Sequence, residues 1–249
     1  LSPPSLITTG PDGALWLTAF SHNTIGRTDR VPCTVTLSAG GQAFPAAGGS
    51  GTISVTAPQG CAWGVFGFPG ILVTFTSPTS GSGNGTIHYQ VEPNTDGGET
   101  NTIRVAGGTF TIEQAGVISG LNAAGSLAHV TSQGSWIFTL DSVNLGASST
   151  TARFNFSDNN GNALMLPLTF PQLSSSSGPM LAATLDRPVN PNAQVILQST
   201  GPASTQTIVG SGQMLATGSV SGFGIFSYPA FGWNAVVPLE TRKADKYYL

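Results

Sequence analysis

From Pro188 to Leu239 the chain contains no Asp, Glu, Lys, Arg or His, and Ser, Thr, Gly, Asn and Pro interrupt its apolar residues throughout. A run of this kind lacks the residues that build coiled coils and helix bundles, and it reads as short strands separated by turns. The rest of the chain shares the bias. Of 249 residues, 33 are Gly and 17 are Pro, and only 8% are charged, against about 25% in an ordinary soluble domain. Eight basic residues and a net charge of −3 cannot make a phosphate-binding stripe, so a nucleic-acid partner is excluded. With 39% hydrophobic residues and little net charge, charge-driven disorder is excluded too. No apolar run is long enough to span a bilayer as a helix, so no membrane insertion is expected. No basic and apolar leader is visible at Leu1, which looks like a cut within a longer protein.

The apolar period is two. Residues 51–56 and 86–91 alternate, the latter with Ile87, Tyr89 and Val91 on one face, and 101–105 and 109–113 form two arms around a Gly107-Gly108 hairpin signal. Further on, Trp136, Phe138 and Leu140 share a face, as do Ala152, Phe154 and Phe156. The turn Asp158-Asn159-Asn160-Gly161-Asn162 leads into Leu164, Leu166, Leu168 and Phe170, which predicts a hairpin. More strands are expected at 180–185, 193–198, 206–209, 213–219, 222–228 and 234–239. The fold class is all-β: two consecutive β-sandwiches, the first Ig-like, over 31–116 and 117–249, behind a short N-terminal hairpin remnant over 1–30.

Three resemblances bear on this reading. The segment Gly10-Pro11-Asp12-Gly13-Ala14-Leu15-Trp16 with Asn23-Thr24-Ile25-Gly26-Arg27 resembles one blade of a streptogramin-lyase or NHL β-propeller. A propeller needs four to eight blades, so lyase activity does not carry over, and His22 is a loop residue. Residues 31–116, with Cys33-Thr34-Val35, Gly60-Cys61-Ala62-Trp63 and Phe110-Thr111-Ile112-Glu113-Gln114, resemble a BACON-type Ig-like domain. Such domains occur in secreted bacterial proteins and are proposed to bind carbohydrate or mucin or to act as spacers. Residues 117–249 resemble an uncharacterised β-sandwich of secreted acidobacterial proteins, a family that runs on beyond the equivalent of Leu249. The resemblances imply an extracellular, secreted protein.

Cys33 and Cys61 are either a disulfide or two buried thiols. The Ser/Thr/Gly-rich strands favour an oxidising compartment and the pair. No histidine or C-x2-C spacing suggests zinc.

Few residues offer reaction chemistry. Gly218-Ser219-Val220-Ser221-Gly222 puts Val220 where a nucleophile elbow needs serine. The candidates for a base are His88 and His129, with Ser132 close to the latter in sequence as a nucleophile. Glu92, Asp96 and Glu99 share one loop that could hold calcium through oxygen ligands, and Asp158 starts a turn with part of a calcium-loop pattern. Otherwise no cofactor is implied. The aromatic residues of Gly/Pro-rich segments suggest binding instead: Trp63, Phe66 and Phe68 in one set, Tyr228, Phe231 and Trp233 in the other. The expected role is a non-catalytic binding or spacer module taking polysaccharide or a cell-surface protein. The alternatives are an esterase- or lactonase-type hydrolase and a self-associating structural protein whose strand edges pair.

Overall fold

The computed structural model describes residues 6–10, 15–19, 24–28, 33–66, 72–173 and 178–242. His22 and Phe68 lie outside them. The chain divides into two compact units, Leu1–Thr34 and Val35–Leu249. In the first unit β1 (Leu6–Thr9), β2 (Leu15–Ala19) and β3 (Thr24–Thr28) form an antiparallel sheet in that order. Cys33 and Cys61 are joined in a disulfide.

Among the described residues the second unit holds nineteen strands and no α-helix. The first nine are β4 (Thr36–Leu37), β5 (Gly41–Phe44), β6 (Gly49–Thr56), β7 (Ala62–Phe66), β8 (Val73–Phe75), β9 (Ser80–Ser82), β10 (Gly85–Val91), β11 (Glu99–Val105) and β12 (Gly108–Gln114). The other ten are β13 (Asn122–Ser132), β14 (Ile137–Asn144), β15 (Thr150–Ser157), β16 (Leu166–Thr169), β17 (Met180–Ala182), β18 (Thr184–Val189), β19 (Gln194–Ser199), β20 (Ile208–Ala216), β21 (Val220–Tyr228) and β22 (Trp233–Pro238). The all-β class read from the period-two pattern is correct.

Each layered half buries one face of each sheet. Ile87, Tyr89 and Val91 of β10 pack inward against Ile53 and Val55 of β6, facing Ile103, Phe110 and Ile112 of the opposite sheet. Phe138 and Leu140 of β14 face Ala152, Phe154 and Phe156 of β15 across a second core. Four strands in the order β4-β6-β10-β8 cover one core, and four in the order β13-β20-β15-β18 cover the other. A single eleven-stranded sheet, β22-β21-β14-β19-β16-β17-β5-β12-β11-β7-β9, backs both. Its continuity depends on β5, which pairs in parallel with β12 on one side and with β17 on the other.

Ion pairs reinforce this junction. Arg153 donates from Nε and Nη2 to both carboxylate oxygens of Asp186 at 2.7 and 2.8 Å, and Nη2 also donates to the Gly116 carbonyl at 2.6 Å. Arg187 reaches Glu113 of β12 with both terminal nitrogens, and its guanidinium lies 4.2 Å from the Phe170 ring centroid. Both pairs are largely removed from water. In a chain with so little charge, four charged side chains are placed where the two cores meet.

Two local expectations differ from the structure. The hairpin expected around Asp158 is an arch. Beyond one bridge between Ser157 and Ala163, β15 pairs with β18 and β20 while β16 joins β17 and β19 in the opposite sheet. Both strands alternate strictly, and crossing between layers lets Phe156 and Leu166 enter the same core from opposite sides. The β11–β12 hairpin does form, but its turn is Ala106-Gly107, with Val105 opposite Gly108. Both turn residues have positive φ, 47° and 90°, as a two-residue hairpin turn matched to strand twist requires.

Candidate functional site: an aromatic ridge beside an open seam

β21 turns into β22 through a short 3-10 turn, Pro229–Phe231. Proline presets the first residue of that turn, and Gly232 closes it at φ 67°, a left-handed conformation suited to glycine. The turn sets Tyr228 opposite Trp233 at the hairpin end, with Phe231 between them. The Phe231 ring lies 5.0 Å from Trp233 and 5.4 Å from Tyr228, at 25° and 17° to their planes. Trp136 packs under Tyr228 at 4.9 Å. Phe231 is 64% exposed and Trp233 61%, so the supported rings present their outer faces to water as a ridge.

A groove of about 460 Å³ runs beside this ridge, between β13 and β22. Phe226 and Trp136 line it together with His129, Thr131, Trp233 and Val237. His129 reaches the groove because β13 is bulged. Leu127 pairs with Gly212 and Val130 with Gly210, so Ala128 and His129 together oppose the single residue Ser211. A bulge of this kind redirects side chains, and the His129 ring sits 5.9 Å from Phe226, tilted at 42°.

At one end the groove is closed by backbone. Ser126 donates its N–H to the Glu240 carbonyl at 3.0 Å, and Glu240 donates back to Ser126 at 2.8 Å. The Glu240 side chain accepts hydrogen bonds from Arg242, which hold its carboxyl down at about 2. Beyond Glu240 the two strands separate. Continuing the antiparallel register would set Ala128 opposite Pro238, where proline has no N–H to give and the bulge turns β13 away.

Of the aromatic residues predicted to bind, the structure therefore brings Tyr228, Phe231 and Trp233 together. Trp63 does not belong to a binding loop. It lies in β7, is 7% exposed, and donates its indole N–H to the Gly83 carbonyl at 2.7 Å. Gly81 and Gly85 leave the space that its ring occupies, and a Cβ at either position would approach ring carbon Cζ2 to 2.5 and 2.2 Å. Phe66, three residues along the same strand, points outward and is exposed.

The catalytic candidates do not assemble. Ser132 is fully buried, its hydroxyl 2.6 Å from that of Ser199, whereas His129 is exposed. His88 lies on the exposed face of β10 with Nδ1 3.2 Å from the Thr52 hydroxyl, a neighbour with no basic or acidic role. Nor do the carboxylates of Glu92, Asp96 and Glu99 converge. Among the described residues no group of three or more His, Cys, Asp or Glu side chains could hold a metal ion. Asp158 closes its own turn. Its carboxylate accepts hydrogen bonds from the Asn160 and Asn162 N–H groups at 2.8 and 2.9 Å and from the Asn162 side chain, which holds its carboxyl below the usual range.

Sequence reasoning missed Phe226, the bulge and the role of Trp136. The available signal was the segment Trp233-Asn234-Ala235-Val236-Val237-Pro238, apolar on both parities and ending in proline, the pattern of a strand without a full complement of neighbours.

No family model and no curated protein matches the chain. Among solved structures it is similar to the Bacteroides ovatus GH5 xyloglucanase in complex with a XXXG heptasaccharide, at 21% identity and a TM-score of 0.29 over 33% of this chain and 19% of that one. It is also similar to the secreted serine protease VesC from Vibrio cholerae, at 7% identity and a TM-score of 0.26 over 84% and 60% of the two chains. The periplasmic chaperone SfaE gives 12% identity and a TM-score of 0.25 over 82% and 98%. The chain thus spans about a fifth of the xyloglucanase, and superpositions this weak carry no argument about function. Among the described residues no helix is long and apolar enough to cross a membrane.

Proposed function

We propose that this chain is a non-catalytic binding module of a secreted, extracellular protein, and that it recognises a polypeptide partner through the aromatic ridge and groove of its second sandwich. The observation that carries this reading is the exposure of Phe231 and Trp233 on a supported ring cluster. Large rings held rigid at a surface are the side chains that dominate protein interfaces. The surroundings are apolar, with Ala235, Val236 and Val237 exposed beside them, and few polar groups are available to bond sugar hydroxyls. The disulfide suits an oxidising compartment.

Surface-immobilised wild-type protein, Phe231→Ala and Trp233→Ala are compared against a peptide array and against soluble polysaccharides, including xyloglucan. Peptide capture lost in both variants supports the reading. Polysaccharide binding lost in the same variants replaces it with carbohydrate recognition. Turnover of esters or lactones that disappears in His129→Ala overturns the non-catalytic role.

A further inference from the structure

The alternation of β22 follows from one bond. Leu239 donates its N–H to the Gly222 carbonyl, so Trp233, Ala235 and Val237 direct their backbone groups at β21 and Asn234, Val236 and Pro238 direct theirs away. That outward edge is the one Glu240 uses to bind Ser126 of β13. From Asn234 to Pro238 it has no strand beside it among the described residues, because β22 ends one sheet and β13 ends the other. The groove is therefore a seam between two strand edges, joined antiparallel at one end and open for the rest of its length.

We propose that this seam takes one extended, uncharged peptide strand of a partner protein, which pairs with the outward backbone of β22 and places alternate apolar side chains against Phe226, Trp136 and Val237. The inference rests on the reading of the ridge as a polypeptide-binding surface and names the form of the partner. Three features select this occupant. The Asn234 and Val236 N–H groups and the carbonyls of Asn234, Val236 and Pro238 recur every second residue, about 6.8 Å apart, the repeat of a strand. The two walls hold no Asp, Glu, Lys or Arg, so a charged side chain entering the seam would be desolvated without a counter-ion, and charge complementarity calls for a neutral segment. The seam also faces β13 rather than open solvent, which admits a single strand and excludes the sheet edge of a second copy.

The test uses the full chain and a pool of blocked seven-residue peptides in which Val, Ile or Phe alternates with Thr or Ser. Binding is read by tryptophan fluorescence and by amide exchange. The expected result is binding by pool members, with exchange at Asn234 and Val236 slowed about tenfold or more. Two N-methylated forms of each binding peptide separate backbone pairing from side-chain docking: methylation of one alternate set of amides weakens binding about tenfold or more, and methylation of the other set leaves it unchanged. Val236→Pro weakens binding in the same way, because that N–H serves only the seam and its loss removes no bond to β21. Equal binding of both methylated forms overturns strand pairing and leaves the polypeptide reading standing. Failure of the whole pool at millimolar concentration overturns the inference. Polysaccharide binding abolished by Trp233→Ala, with no peptide binding, overturns both. Concentration-dependent dimerisation abolished by Val236→Pro replaces the partner strand with a second copy.

Discussion

Trp63 and Trp233 are the same residue type in similar Gly/Pro-rich company, yet one is core and the other surface. What separates them is distant in sequence. Gly81 and Gly85 make room for the Trp63 ring and Gly83 accepts its N–H, whereas Trp233 rests on Phe231 in a strand that has no outer neighbour among the described residues. Trp63→Ala is expected to lower stability by about 3–5 kcal/mol, the cost of an emptied aromatic site, in denaturant unfolding. Trp233→Ala should change it by less than about 1 kcal/mol, and similar losses in the two variants would contradict the assignment. At Glu240 the carboxyl is held well below its ordinary 4.5, to about 2, first by the Arg242 side chain. A depressed carboxylate contributes stability that is complete above the ordinary value and lost as pH falls through the folded one. The backbone bridge at Ser126 and Glu240 should therefore lose amide protection, measured as the exchange rate relative to that of an unstructured peptide at the same pH, as the pH falls from about 4.5 to about 2. Arg242→Ala should bring the Glu240 titration back towards its ordinary value, a change that an NMR titration of the carboxyl reads directly.

Among the elements, most strands and their inward faces are legible from alternation alone. Ile87, Tyr89 and Val91 point inward as their spacing predicts, as do Phe138 with Leu140 and Ala152 with Phe154 and Phe156. The buried Tyr89 hydroxyl is driven up by desolvation and donates to the Gln42 side chain. Partner choice is not legible, because a period of two says which face is buried and not which strand lies alongside. The arch after β15 shows this: the Asp158 turn chemistry is real, but the same turn serves a hairpin or a crossing between layers. The bulge at Ala128 and His129 is similarly silent in sequence, since neither residue is a glycine that would mark it. At the β11–β12 turn Ala106 holds φ 47°, a conformation that costs a side-chain-bearing residue about 1–2 kcal/mol. Ala106→Gly should raise stability by about 0.5 kcal/mol after the unfolded-state entropy of glycine is subtracted, measured as a higher denaturant midpoint. A lower midpoint would mean that the packing of the Ala106 methyl outweighs the strain.

At the scale of the whole molecule, the shared sheet and the two ion pairs make residues 35–249 one compact unit built on two cores. Glu113 is the critical member, since it lies on β12 of the first half and receives both terminal nitrogens of Arg187 on β18 of the second. Glu113→Ala leaves the Arg187 guanidinium with the Asp186 carbonyl and the Phe170 ring among these partners, and should cost about 2–3 kcal/mol. The loss falls on the contact between the cores, so calorimetry should show a single transition broadening or splitting into two. A uniform downward shift of one sharp transition would place the coupling in the β5–β17 pairing instead. That pairing was hidden from sequence because Gly41-Gln42 and Met180-Leu181 carry no mark of each other. Its separation along the chain also sets a timetable. During synthesis at about 5–20 residues per second, β5 pairs with β12 soon after both emerge, but its other edge waits for Met180, several seconds to over ten seconds behind. Throughout that interval β5 is the open edge of the nascent first half's sheet, and the growing polypeptide is most vulnerable to misassociation when it is half made.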